Sequence, residues 1–533
     1  ILLISLLIIT VSITAQNTYT NTQAWEKVDQ LIEKDLPESA LKALDSISQI
    51  AEATNNHQEQ IKVRLYRYRI QTEKEPDTAP AVLKNFEQFA EAYVPSAIKQ
   101  LLFCMTAEMY HNYYQSKQYE IDRRTDVAGV LPQNIETWSK NHFQQKVKSL
   151  IDEAWKEQRI SQQTDIESLQ KLFVFQSEKK EDINTTPTLF DYIAYKRIDL
   201  AEAWKDEKTV QETYKKLIQF RKTQGDTNLT VLAEINYLDY LHGQSDSQTF
   251  IQKADSLEQV YQRDPAVVEI MVQKARHYLQ NAEIPQHKKI AHDICRKGIA
   301  TYPEYPRIGL LTNTLNQIEV QTLFINSAKD AAPSGHLKID LRSTNIPSIT
   351  IEVYRLNTTS KDFARHDINN RINPDKEVFD KALIETFTIN MPLNENFEEV
   401  DTIFHLPTKD YGIYAFIAYP SGKPEKDVMT QAYYTVTDLT FIKRTISEDK
   451  SAYYVLDRIT GKQMKQVEIT TYSYKWSGNQ YEMTFVATGK TNSKGYIELP
   501  RLKSNGNEII LLKKNDDRYF SKFSYSNYFN SSD

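Results

Sequence analysis

Ile349-Thr-Ile-Glu-Val-Tyr-Arg-Leu356 decides the fold class of the C-terminal part of this chain. Ile349, Ile351 and Val353 fall on one face and Thr350 and Glu352 on the other, the period of two of a strand with one buried side. The alternation returns where Val467, Ile469 and Thr471 oppose Glu468 and Thr470. Turn signals punctuate the strands at Pro420-Ser-Gly-Lys-Pro424, Thr460-Gly461, Asn492–Gly495 and Asn505-Gly506. Short strands at intervals of roughly 8–12 residues predict antiparallel β-sandwiches. Glycine usage agrees, since 8 of the 13 glycines lie in residues 331–533.

Working outward toward the N-terminus, the period changes near Asn316, and residues from about 22 to 315 read as helix after helix. Trp25, Val28, Leu31 and Ile32 recur at helical spacing, Leu36-Pro37 breaks the pattern, and Ala40, Leu41, Leu44, Ile47 and Ile50 form the next stripe. A Pro-containing turn between two stripes predicts an antiparallel helical hairpin. Further helices are expected over Gln58–Thr72, Ala81–Ala92, Ser96–Tyr114, Ile135–Trp155, Leu189–Trp204, Val210–Lys222, Leu229–Leu241 and Phe250–Gln262. Ala254 to Pro265 aligns with Ala291 to Pro303: each begins on a small residue and ends on a Pro, and the prolines are 38 residues apart. This is similar to tetratricopeptide-type hairpins, so the expectation is a degenerate helical-repeat array.

The chain of 533 residues is too long for one core and calls for several domains. Its 40% hydrophobic and 26% charged residues exclude wholesale disorder and a polytopic membrane protein. A net charge of −6 and a pI near 6.0, with scattered Lys and Arg, argue against a nucleic-acid partner. Residues 331–533 hold 26 Lys+Arg and 26 Asp+Glu, so the whole net charge belongs to the helical part, too diffuse to define a partner. Ile1–Ala15 is an apolar run that ends on a small residue and turns polar at Gln16. It reads as a secretory signal peptide with a clipped start, and its length is short of the ~20 residues a bilayer needs. The expected organisation is a signal peptide over 1–15, a helical-repeat domain over 16–315, and β-sandwiches over 316–440 and 441–533, the second cut short at Asp533.

No HExxH, P-loop, GxGxxG, GxSxG or CxxC pattern occurs. His287 and His292 lie five residues apart, about 140° round a helix, and are expected to be surface histidines rather than metal ligands. Cys104 and His111 lie amid apolar residues, where a buried thiol is expected rather than a dyad. Cys104 and Cys295 are expected to be unpaired. Glu398-Glu399 and Asp516-Asp517 fit solvated loops, and the 32 tyrosines fit half-buried faces with hydroxyls left in water. No catalytic, cofactor or metal residue is expected.

Four stretches resemble the N-terminal macroglobulin-like domains of bacterial alpha-2-macroglobulin family proteins. They are Ile349–Leu356; Leu406-Pro-Thr-Lys-Asp-Tyr-Gly-Ile-Tyr-Ala415; Tyr433-Tyr-Thr-Val-Thr-Asp-Leu439; and Tyr454–Lys462 with its Thr-Gly-Lys turn, followed by Val467-Glu-Ile and Thr491–Tyr496. The resemblance covers about 200 residues and reaches the helical half only by architecture. It implies a non-enzymatic protease trap in which a bait segment is cut and a shell of sandwiches collapses. A thioester cysteine is not implied here, because Met-Thr-Ala follows Cys104 and Arg-Lys-Gly follows Cys295. The chain then reads as the leading piece of a longer exported protein, periplasmic, at the cell envelope or extracellular. Its expected partners are proteins, either proteases or cell-envelope components, with no cofactor and no integral membrane segment. The competing reading is a cell-envelope helical-repeat scaffold or a glycan-uptake-associated binding protein with carboxypeptidase-regulatory-like sandwiches.

Overall fold

The computed structural model describes residues 22–74, 78–125, 132–172, 185–243, 246–369, 379–392, 394–422, 428–447, 449–500 and 507–524. The expected signal peptide and the Asn505-Gly506 turn lie outside them. The chain divides into two compact units, one of residues up to His277 with Lys297–Leu311, the other of Tyr278–Arg296 and Thr312 onward.

The first unit is helical. Helix α1 (22–33) and α2 (Pro37–Ala53) pair with α3 (His57–Lys74) around Trp25, Val28, Leu44 and Ile47. Pro37 stands in the first turn of α2, where its missing N–H has no helical partner to lose. Next come α4 (Ala79–Ala92), α5 (Ala97–Ser116), α6 (Gln118–Ile121), α7 (Lys140–Trp155), α8 (Gln158–Gln163) and α9 (Leu189–Ala203). Their shared core is built on Leu101, Leu102, Phe143, Phe190 and Ile193, each at most 1% exposed. Helices α10 (Glu207–Gln224), α11 (Thr227–His242) and α12 (Ser247–Tyr261) each start on an aspartate. Asp206, Asp226 and Asp246 accept the N–H groups of Thr209, Leu229 and Thr249, satisfying donors that a helix leaves open. Helix α13 (Val267–Gln280) was not among the expected helices; α14 (His287–Thr301) and α15 (Gly309–Glu319) follow it, and the residues of each are divided between the two units. Ala254 and Ala291, the small residues of the two aligned segments, are both fully buried.

The second unit is mostly strand. β1 (Thr322–Ser327), β3 (His336–Thr344) and β6 (Val400–Pro407) form one sheet. β2 (Asp330–Ala331), β8 (Thr430–Val436), β7 (Gly412–Pro420), β4 (Ser348–Asn357) and β5 (Asp380–Asn390) form another, in that order. Ile349, Ile351 and Val353 point into the core between them, as the alternation predicts. A second pair of sheets, β13–β10–β9 and β12–β11–β14–β15, uses β9 (Leu439–Ser447), β10 (Lys450–Asp457), β11 (Glu468–Ser477), β12 (Gln480–Lys490), β13 (Tyr496–Pro500), β14 (Asn507–Lys514) and β15 (Asp517–Ser524). Its core contains Val467 and Ile469 with Tyr453, Val455, Ile510 and Leu512.

Two features correct the expectation of purely antiparallel sandwiches. β2 pairs with β8 in parallel, because the chain leaves the β1 sheet and crosses to the opposite one within a few residues. A helix, α16 (Ser360–Ile368), also interrupts the strands after β4, capped by Thr359, which accepts the Asp362 N–H. Phe363 of α16 packs against Ile413 and Ala415, on the side of β7 facing away from Tyr414 and Phe416. β7 is therefore covered on both faces, which accounts for its unbroken apolar run Ile413–Ala418. The last helix before the strands ends at Glu319, and β9, the first strand of the second pair of sheets, begins at Leu439.

The turn glycines are sterically determined where they matter. At Gly495 φ is +67°, and an added Cβ would stand 2.8 Å from the Val455 carbonyl oxygen. Asn492 organises that turn by accepting the N–H groups of Lys494 and Tyr496.

Candidate functional site

In the helical unit, α3, α5, α9, α11 and α13 surround a groove of about 900 Å³, within the range of ligand sites. Tyr68, Met105, Met109, Leu232 and Val272 supply its apolar wall. Methionine side chains are flexible and polarisable, so such a wall adapts to varied apolar groups. Lys196 Nζ meets Glu108 Oε1 at 2.5 Å. Burial pulls the Lys196 ammonium down, but the Glu108 carboxylate outweighs it and holds the group above its ordinary value. Burial pushes the Tyr195 hydroxyl up to about 12. Glu269 accepts the Tyr305 hydroxyl at 2.9 Å and lies 3.4 Å from Arg307 Nη1, with its carboxyl raised by burial against the pull of Arg307.

The polar groups of the groove come from different helices. Gln273 Nε2 donates to Asn236 Oδ1 at 3.3 Å, which joins α13 to α11. Asp199 on α9 is raised by burial, partly offset by Lys196, and makes no hydrogen bond or ion pair among the described residues. The same is true of hydrogen bonds and ion pairs at Arg276 on α13. Arg307 Nη1 is buried without a hydrogen-bond acceptor. None of these residues was singled out from the sequence. They share no period along the chain, and only packing brings them to one groove.

The residues that the sequence did single out fall elsewhere. Cys104 is fully buried, and desolvation, then Glu108, push its thiol well up. His111 lies edge-on to Trp204, and no hydrogen bond joins it to Cys104. His287 and His292 are not surface histidines. His287 is 7% exposed with Nδ1 3.6 Å from Glu398, while His292 Nε2 meets Glu319 at 2.9 Å and its ring stacks on Phe397. Glu398 also holds Lys288 at 2.9 Å, and Glu399 lies 3.7 Å from Arg342. Asp517 is 4% exposed rather than solvated, and it accepts the Asp438 N–H at 3.0 Å where the sandwiches join. Its neighbour Asp516 lines a separate cleft of about 890 Å³ in the β unit with Arg355, Lys361, Glu468 and Lys513. Among the described residues no group of three or more His, Cys, Asp or Glu could hold a metal ion, and no helix is long and apolar enough to cross a membrane.

Many tyrosine hydroxyls are not left in water, contrary to expectation. Tyr66 donates to Asp29, Tyr110 to Glu87, Tyr114 to Asp122, Tyr261 to Glu234, Tyr411 to Asp438 and Tyr453 to Glu508, all at 2.6–2.9 Å. A phenol so placed brings an apolar ring into the core and gives a half-buried carboxylate a donor.

No family model and no curated protein matches the sequence. Among solved structures, a fragment of Escherichia coli alpha-2-macroglobulin spanning domains MG0-NIE-MG1 aligns at 12% identity and a TM-score of 0.29, over 38% of this chain and 64% of the fragment. A shorter fragment of that protein, NIE-MG1, aligns at 12% identity and a TM-score of 0.28, over 38% of this chain and 96% of the fragment. Red sea bream transglutaminase aligns at 10% identity and a TM-score of 0.18, over 42% of this chain and 34% of its own. Likenesses at this level fix neither fold nor function.

Proposed function

We propose that this chain is a non-catalytic, exported protein-binding segment of the macroglobulin-like kind, one part of a protease trap, with an array of tetratricopeptide-like hairpins preceding its sandwiches. The observation that carries the reading is the tandem of sandwiches. β8 ends at Val436 and β9 begins at Leu439, so only Thr437 and Asp438 separate the two cores. The junction is fastened from both sides. Arg458 donates to the Thr437 carbonyl at 3.1 Å and to Asp330 at 2.7 Å, and the Tyr411 hydroxyl donates to Asp438 at 2.6 Å. Sandwiches held directly against one another fit the reading of a shell built from such domains.

The test is to incubate the full chain with a panel of endopeptidases and to follow cleavage of a large protein substrate against a small chromogenic one. The expected result is no turnover by the chain itself and equal cleavage of both substrates, because closure round a protease requires bait and shell domains beyond these two. Substrate turnover by the chain would overturn the non-catalytic reading. Selective loss of large-substrate cleavage would show that the trap is complete in these residues.

A further inference from the structure

We infer that the groove of the helical unit is a binding site for an extended peptide segment bearing both a basic and an acidic side chain. This rests on the reading of the chain as a protein-binding one and names what the helical half binds. The argument begins with charge. Of the six ionised residues lining the groove, Lys196 is taken by Glu108 and Glu269 faces Arg307. Asp199 and Arg276 remain, of opposite sign, on different helices, neither with a hydrogen bond or ion pair among the described residues. Partial desolvation raises the Asp199 carboxyl although its side chain stays exposed, and an incoming cation would oppose that shift. A neutral ligand would bring neither group an ion-pair partner, and a singly charged one would bring a partner to only one of them.

Hydrogen bonding narrows the class. Gln273 and Asn236 spend one amide donor and one amide acceptor on each other. Three amide N–H donors and the Gln273 Oε1 acceptor remain on this pair, types that a peptide group's C=O and N–H can meet. The methionine-containing wall beside them tolerates different apolar side chains. Opposite charges, amide groups of both hydrogen-bonding types and an adaptable apolar wall together describe an extended peptide rather than a lipid tail or a neutral sugar.

The experiment is affinity selection by the full chain from an equimolar library of end-blocked random hexapeptides, read by mass spectrometry, with maltohexaose and cellohexaose as parallel probes. Retained peptides are expected to be enriched roughly tenfold in sequences carrying both a Lys or Arg and an Asp or Glu, the effect of one charge-assisted hydrogen bond. Asp199→Asn should lose the basic preference and Arg276→Gln the acidic one. Both side chains are exposed, and melting curves of the variants check that the fold is kept. Failure to retain any peptide, retention without charge preference, unchanged selection by both variants, or retention of the oligosaccharides in place of peptides would each overturn the proposal. A chain that selects such peptides yet hydrolyses a substrate would sink the non-catalytic reading and leave this one standing, so the two failures are distinguishable.

Discussion

Arg458 Nη1 lies 2.7 Å from Asp330 Oδ1, joining residues 128 positions apart and tying the short strand β2 of the first sandwich to the end of β10 in the second. The same guanidinium donates to the carbonyls of Thr437 and Leu439, so one side chain satisfies the backbone on both sides of the junction. Arg458→Gln is expected to destabilise the β unit by about 1–3 kcal/mol, below the cost of breaking a fully buried pair because both side chains keep some exposure. Urea unfolding followed by tyrosine fluorescence measures this. An unchanged midpoint would show that the junction holds without it.

Asp191 and Arg221 form an ion pair between α9 and α10 with side chains only 1% and 5% exposed. Asp191 also receives the Thr188 hydroxyl at the start of α9. Asp191→Asn keeps the cap and strands the guanidinium, an expected loss of about 3–5 kcal/mol. Adding Arg221→Met should recover most of it, because it removes the uncompensated buried charge and leaves only a neutral amide. A double variant no more stable than the single one would refute this account, with far-UV melting as the readout.

Asp517 predicts a pH dependence. Burial, first, and the nearby Asp438 charge raise its carboxyl above the ordinary range, against hydrogen bonds from Thr437, the Asp438 N–H and the Arg518 N–H. The folded chain then binds this proton more tightly than the unfolded one, whose value is about 3.9, and the slope of unfolding free energy with pH is negative for this group. Its contribution is greatest at acid pH and is lost as pH rises through the raised folded value. Asp517→Asn preserves an acceptor and removes the titration. The wild type should therefore gain on the variant in melting temperature as pH is lowered from neutral toward about 4. Parallel curves would contradict the assignment.

Cys104 and Cys295 are free and buried. Desolvation carries Cys104 well above its ordinary value and Cys295 to about 11, leaving little thiolate at neutral pH. A maleimide probe should leave both unlabelled in the native state and label two thiols per chain in urea. Rapid native labelling would show that one of these helices opens.

The periods of 3.6 and 2 were legible because they are local: each residue's face is set by its neighbours along the chain, so Leu44 and Ile47, or Ile349 and Ile351, declare their buried sides without knowledge of what covers them. α16 left only an indirect trace, the two-sided apolar run of β7, which a helix and a second sheet explain equally well until Phe363 is seen on it. His287, Asp517 and the tyrosine hydroxyls were misread for the opposite reason. Exposure depends on residues far away in sequence, as with Glu398 beside His287, 111 positions on, and charge alone argues only for solvent. The sequence by itself therefore determined the order of the chain, helices first and strands after, and the placing of its turns. The groove joining Asp199, Asn236, Gln273 and Arg276 and the fastening of Arg458 to Asp330 were decided only by tertiary structure, because a hydrogen bond or a cavity between distant residues has no period along the chain.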